Sequence, residues 1–193
     1  MHTEIECRLL NCDVERFLEK LKETDAKFVG DWLQLRYCYD FNPVKPNSWV
    51  RLRTNGKETT ITIKEIQDKS IHGTKESEIV VSDFYAADEI LNKLGYYARS
   101  KQENRRVQFK LDGVEIDIDF WPNIPTYVEF EAPTDEALEG VLAKLGIDLK
   151  NLTTMDVSSI YEYYGYNISK SPILTLEEER KTLFKEEIEN TIN

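Results

Sequence analysis

Two carboxylates and a guanidinium share one face of the opening segment Glu4-Ile5-Glu6-Cys7-Arg8, because a spacing of two in an extended chain sends alternate side chains to opposite sides. Ile5 and Cys7 take the other face. The same alternation of charged and apolar residues recurs in Val50-Arg51-Leu52-Arg53, at Glu76 and Glu78 before Ile79, in Glu115-Ile116-Asp117-Ile118-Asp119-Phe120, and in Val128-Glu129-Phe130-Glu131. One such strand is ordinarily the wet face of a half-buried sheet. Repeated with both signs of charge, the pattern implies a shared site with charged contents. Guanidinium forks suit phosphate oxygens, and Lys64 adds a point charge. Carboxylates clustered without His or Cys suit hard cations such as Mg²⁺ or Mn²⁺, which bridge protein acids and phosphates. Other catalytic machinery is missing: there is no Walker loop, GxSxG elbow or HExxH helix, and neither His2 nor His72 has a nucleophile beside it.

The elements that must position these groups are legible from periodicity and turn chemistry. Asp13 caps a helix bearing Val14, Phe17, Leu18 and Leu21 on one side. A strand runs from about Trp32 to Phe41, followed by a loop through Pro43 and Pro46. Strands from Ser48 to Arg53 and from Glu58 to Ile66 flank Asn55-Gly56, which predicts a type I′ turn. After the run Thr74 to Val81, Asp83 caps a second helix that Gly95 closes. Asp112-Gly113 joins the strand Asn104 to Leu111 to the strand Val114 to Phe120. Following Pro122 and Pro125 come a strand from Tyr127 to Glu131 and a helix begun by Thr134 or Asp135 and closed by Gly146. The order predicts an α+β fold with an antiparallel sheet.

Parity brings the charges together. Val107, Phe109 and Leu111 share one face of their strand, leaving Arg106, Gln108 and Lys110 on the other; Ile61 and Ile63 oppose Thr62 and Lys64. If the apolar faces pack under helices, a curled sheet encloses the ionic ones. Burying them requires pairing, hydration, ligand or metal.

Composition sets outer limits. The chain has 193 residues, 40% hydrophobic and 32% charged, enough for one globular domain and a short appendage. A formal charge of −11 disfavours a nucleic-acid surface, so an anionic ligand needs a local concentration of Arg and Lys. No apolar run reaches the length of a membrane span and the start is polar, which reads as a cytoplasmic protein without membrane attachment. Cys7, Cys12 and Cys38 are reduced packing residues on this reading. Tyr161, Tyr163, Tyr164 and Tyr166 read as a packing element. Thr175-Leu176-Glu177-Glu178 is a capping box, and with Leu183, Phe184 and Ile188 it predicts an amphipathic helix within 169–193, appended to a domain spanning 1–168.

These segments resemble the CYTH superfamily, also called triphosphate tunnel metalloenzymes and named for class IV adenylyl cyclases and thiamine triphosphatases. Glu4-Ile5-Glu6-Cys7-Arg8 is similar to the family's ExExK strand, Trp49-Val50-Arg51-Leu52-Arg53 to its paired-arginine strand, and Ile61-Thr62-Ile63-Lys64 to its LTLK-like strand. Glu76 and Glu78, Arg106, Asp119 and Glu129-Phe130-Glu131 follow in family order. The resemblance implies a closed eight-stranded antiparallel barrel with helices outside and a tunnel that binds a triphosphate-containing small molecule. It implies phosphate binding by Arg8, Arg51, Arg53, Lys64 and Arg106, to which strand parity adds Lys110, and Mg²⁺ or Mn²⁺ held by Glu4, Glu6, Asp119, Glu129 and Glu131. The implied activity is metal-dependent hydrolysis of inorganic, nucleoside or thiamine triphosphate by a monomer or homodimer; adenylyl cyclase and non-catalytic sensor are the alternatives. Arg8 stands where the family has Lys, and arginine holds its proton too tightly to act as a base. Water activation then falls to metal-bound water with Glu6 or Glu131, while Arg8 binds phosphate. A tyrosine from the segment Tyr37 to Tyr39 is a further candidate. Pro122-Asn123-Ile124-Pro125 replaces the family's Gly-containing link.

Overall fold

A computed structural model describes residues 1–168 and 172–177. The strands β1 (His2–Thr3), β2 (Ile5–Leu9), β3 (Lys27–Tyr39), β4 (Ser48–Thr54), β5 (Thr59–Ile66), β6 (Thr74–Val81), β7 (Ala98–Leu111), β8 (Val114–Phe120) and β9 (Tyr127–Ala132) form one sheet. Its order is β1-β6-β5-β4-β3-β7-β8-β9-β2. Because β1 and β2 are consecutive lengths of the same N-terminal run, the sheet returns on itself as a nearly closed antiparallel barrel of eight staves. At the seam His2 pairs with Glu76 and Thr3 with Lys75, and the Glu4 and Glu6 N–H groups donate to Thr74 O and Ile71 O at 3.0 Å. On the other side β2 pairs with β9 from Ile5↔Ala132 to Leu9↔Val128.

The hydrophobic cores lie outside this ring. Helices α1 (Val14–Lys22) and α3 (Asp135–Lys144) bury Phe17, Leu18, Leu21, Leu138 and Val141 against Val107, Ile116, Ile118, Val128 and Phe130. Helix α2 (Phe84–Lys93) lays Phe84 and Ala87 on Tyr37, Tyr39, Val50 and Leu52. Helix α4 (Val157–Tyr163) packs Ile160 and Tyr161 on Trp121, Ile124 and Tyr127 at one end of the barrel. Full burial of each large apolar side chain contributes roughly 1.5–3 kcal/mol. That burial holds the staves in the register that turns their polar faces inward.

Local chemistry explains most of the boundaries. Asp13, Asp83 and Thr134 cap α1, α2 and α3 through their side-chain oxygens. Asp112 and Gly113 both have positive φ, 49° and 86°, as a type I′ turn requires. The Asn55-Gly56 turn differs from the sequence expectation. Only Gly56 has positive φ, while Asn55 Oδ1 accepts from the N–H groups of Lys57 and Glu58, so the side chain shapes a longer loop. Strands β3 and β7 each begin some residues earlier than their alternation suggests and pair over their full length. Asn123, with φ of 64°, supplies the left-handed residue in the link that lacks glycine.

Most of the proposed terminal helix, including Leu183, Phe184 and Ile188, lies outside the described residues. Within them, β10 (Ile173–Leu174) adds to β7 in parallel and Leu176 is buried, its N–H donating to Glu103 at 3.2 Å.

Candidate active site: a charged tunnel

The inward faces enclose a tunnel with two halves that meet at Arg51, Lys64, Arg106 and Glu129. One half is basic, lined by Arg8, Arg36 and Arg99 with Glu6, Gln102 and Tyr127. The other is acidic, lined by Glu4, Glu76, Glu78, Glu115 and Glu131 with Arg53.

Arg106 is the keystone of the waist. Its Nε and Nη2 donate to Asp119 at 2.9 and 2.6 Å, Nη2 also reaches Glu129 at 3.1 Å, and Nη1 pairs with Asp117. Arg8 braces the neighbouring wall: Nε donates to Glu129 at 2.6 Å, Nη2 to Glu6 at 2.7 Å and Nη1 to Met155 O at 2.9 Å. Burial opposes the charge of Glu129, but Arg8 and Arg106 on either side outweigh it and hold the carboxyl well below its usual range. Burial likewise works against Arg8, yet Glu129 and Glu6 raise its pKa above the ordinary arginine value. Arg8 therefore keeps its proton.

Arg36 has no carboxylate partner among the described residues, and Arg51 and Arg53 share one, Glu78, at 3.4 and 3.8 Å. Burial, then Arg51 and Arg106, bring Arg36 down to about 10. Arg51, then burial, then Arg106 and Arg36 bring Arg53 down to about 9. The buried Nε atoms of Arg36 and Arg51 have no hydrogen-bond acceptor among the described residues. Such a cluster gains from an anion in its midst.

The acidic half has the opposite deficit. Lys64 lies between Glu4, at 2.8 and 3.0 Å, and Glu76, at 3.2 Å, so one ammonium serves two carboxylates. Burial raises Glu4 above its usual range, an effect Lys64 only partly offsets, while Lys64 helps to lower Glu76 against burial. Glu131 makes no hydrogen bond or ion pair with a described residue, and burial, then Glu129, lift it to about 7.

Of the residues singled out from sequence, Glu4, Glu6, Arg8, Arg51, Arg53, Lys64, Arg106, Glu129 and Glu131 line the tunnel. Lys110 does not join them. Its parity is right, but it sits at the rim, about half exposed, 3.5 Å from Glu115. Asp119 is sealed beneath Arg106, fully buried with both oxygens accepting from that guanidinium, which leaves it a positioning group for the arginine. Tyr37 and Tyr39 face outward, the first edge-on to Phe84 at 4.8 Å and the second donating to Asp88 at 2.7 Å. Tyr127 is the tyrosine inside. Arg36, Gln34 and Tyr127 were missed, although the alternation of Gln34, Arg36 and Cys38 against Leu35, Tyr37 and Tyr39 carried the signal.

Among the described residues, no three His, Cys, Asp or Glu side chains converge closely enough to hold a metal as they stand. Glu6 is engaged by Arg8 and by the Thr74 hydroxyl at 2.9 Å, and Glu129 by two arginines. Glu4, Glu76 and Glu131 remain, all oxygen donors with more negative charge than Lys64 neutralises. That donor chemistry fits a hard dication on the acidic side.

The CYTH-domain model matches residues 2–164. The chain belongs to the CYTH family. Among solved structures, a protein of Vibrio parahaemolyticus provisionally assigned as an adenylate cyclase aligns with a TM-score of 0.71 and 15% identity, over 83% of this chain and 98% of that one. A conserved hypothetical protein from Pyrococcus furiosus aligns at 0.69 and 23%, over 82% and 99%. A protein from Hippeastrum, provisionally assigned as an adenylyl cyclase and described as having a dominant triphosphatase activity, aligns at 0.55 and 16%, over 86% and 97%. At these identities the likeness establishes the CYTH fold. No curated protein sequence matches the chain.

Proposed function

We propose that this CYTH protein is a divalent-metal-dependent hydrolase that releases the terminal phosphoryl group of a triphosphate-containing small molecule. One observation carries the reading: buried, under-neutralised arginines face under-neutralised carboxylates across a single enclosed waist. A polyphosphate and a dication supply the two missing charges at once.

On this reading Arg51 and Lys64 grip the phosphate chain at the waist that Arg106 holds in shape, and Arg53 neutralises charge on the departing phosphoryl group. Glu4, Glu76 and Glu131 would hold Mg²⁺ or Mn²⁺, which lowers the pKa of bound water and screens the phosphoryl oxygens when present. Glu131, which makes no hydrogen bond or ion pair with a described residue, has one carboxylate oxygen for the cation and one to accept the proton of the attacking water. Arg8 and Glu6 are tied to each other and shape the wall.

Orthophosphate and pyrophosphate release from inorganic triphosphate, ATP and thiamine triphosphate, each with Mg²⁺ or Mn²⁺, tests this. The expected result is metal-dependent orthophosphate release, reduced at least a hundredfold in Glu131→Gln. Cyclic AMP with pyrophosphate from ATP would make the chain a cyclase, and tight triphosphate binding without turnover a sensor; either would overturn the hydrolase reading.

A further inference from the structure

The basic half of the tunnel contains more donors than the waist needs. Arg36 points into it from β3 with only 6% of its surface exposed. Its guanidinium is fixed from two directions: Nη2 donates to Gln34 Oε1 at 2.8 Å, and Cζ lies 4.6 Å from the centroid of the Trp121 ring. Its Nε is buried without an acceptor. Tyr127, on β9, lines the same half and is 1% exposed, and its hydroxyl likewise has no partner among the described residues. Leaving a buried hydrogen bond unmade is costly, so two such donors in one cavity are matched to an acceptor that arrives from outside.

Their position along the tunnel says which acceptor. Tyr127, Glu129 and Glu131 are successive inward residues of β9, so Tyr127 and Glu131 stand roughly 13 Å apart along the strand. Glu129, between them, belongs to the waist. A ligand anchored near Glu131 must extend through the waist to meet Tyr127 and Arg36, which a chain of phosphoryl groups does and a single one does not.

We propose that Arg36 and Tyr127 form an end seat that takes the phosphoryl group farthest from the metal, and thereby selects a triphosphate over a diphosphate. This rests on the hydrolase reading above. In the bound state Arg36 Nε and the Tyr127 hydroxyl donate to oxygens of that last group, while Gln34 and Trp121 hold the guanidinium in place. Beyond the seat the tunnel opens past Asp68, Arg99 and Thr154 to a groove beside α4, where whatever is esterified to that phosphoryl group has room to leave the barrel.

The test compares wild type with Arg36→Gln, Arg36→Lys and Tyr127→Phe in Mg²⁺, measuring KM and kcat on inorganic triphosphate and, by calorimetry, affinity for pyrophosphate. In Arg36→Gln, KM for triphosphate is expected to rise at least tenfold with kcat falling less than threefold, and pyrophosphate affinity to change less than threefold. Arg36→Lys should recover part of the loss. Tyr127→Phe, which removes one oxygen and keeps the ring in its packing, should raise KM about threefold, and it tests the seat even if Arg36→Gln fails to fold. Equal losses on triphosphate and pyrophosphate would reduce Arg36 to a general charge and overturn the proposal, as would unchanged KM in both Arg36→Gln and Tyr127→Phe. A wild type that neither binds nor cleaves triphosphate removes the hydrolase reading, and the seat with it, before any variant is made.

Discussion

The two halves of the tunnel solve the same problem, buried charge, in opposite ways. Around Arg106 and Arg8, acids and bases interlock: Arg106 pairs with Asp117, Asp119 and Glu129, and Arg8 with Glu6 and Glu129. That network holds the wall in shape. Away from it the matching fails in both directions, with bare guanidinium nitrogens on the basic side and Glu131 unpaired on the acidic side. Fold stability and ligand binding therefore draw on different members of one ionic set. The difference separates residues whose loss unfolds the barrel from residues whose loss leaves it empty.

The comparison breaks most visibly at Arg106. Arg106→Met should cost about 3–5 kcal/mol, because it leaves three buried carboxylates without their shared cation. Urea denaturation measures this, and a midpoint equal to wild type would mean that the waist does not hold the barrel together.

A smaller effect is expected on the acidic side. Burial and Glu129 raise Glu131 from 4.5 to about 7, so between those values the folded state binds more protons than the unfolded chain. Its contribution is fully present below pH 4.5 and is lost as pH rises through 7. In chelator, the melting temperature should fall from pH 5 to pH 8, with a shallower slope in Glu131→Gln. Mg²⁺ affinity should rise across the same interval, since cation and proton compete for the carboxylate. The smallest effect is expected at the rim: Lys110→Ala should alter KM for triphosphate by less than twofold, because Lys110 is about half exposed and already beside Glu115.

Parity was enough to read the walls of β2, β4, β8 and β9 from the sequence, since strict alternation leaves a charged side chain only one face to take. It could not supply height or occlusion. Lys110 shares the face of Arg106 but lies four residues along β7, outside the enclosure. Asp119 shares the face of Asp117, yet Arg106 stands between its carboxylate and the void. In β3, Gln34 and Arg36 alternating with Leu35, Tyr37 and Tyr39 carried a signal, which Trp32 and Cys38 in the same row weaken until Phe84 and Ala87 are seen on the tyrosine side. The two hairpins make the same point on a smaller scale. Asp112-Gly113 follows its dipeptide rule, whereas in Asn55-Gly56 an asparagine side chain that bonds two following N–H groups selects another loop.

The most direct test of a tunnel divided by charge is a crystal structure grown with Mn²⁺ and a non-hydrolysable triphosphate, in which anomalous scattering locates the metal independently of the phosphorus. The expected map has manganese among Glu4, Glu76 and Glu131, with the phosphate chain running from there through the waist toward Arg36. Manganese beside Glu6 and Arg8 instead, or a triphosphate bound outside the barrel, would contradict the division of roles between the two halves.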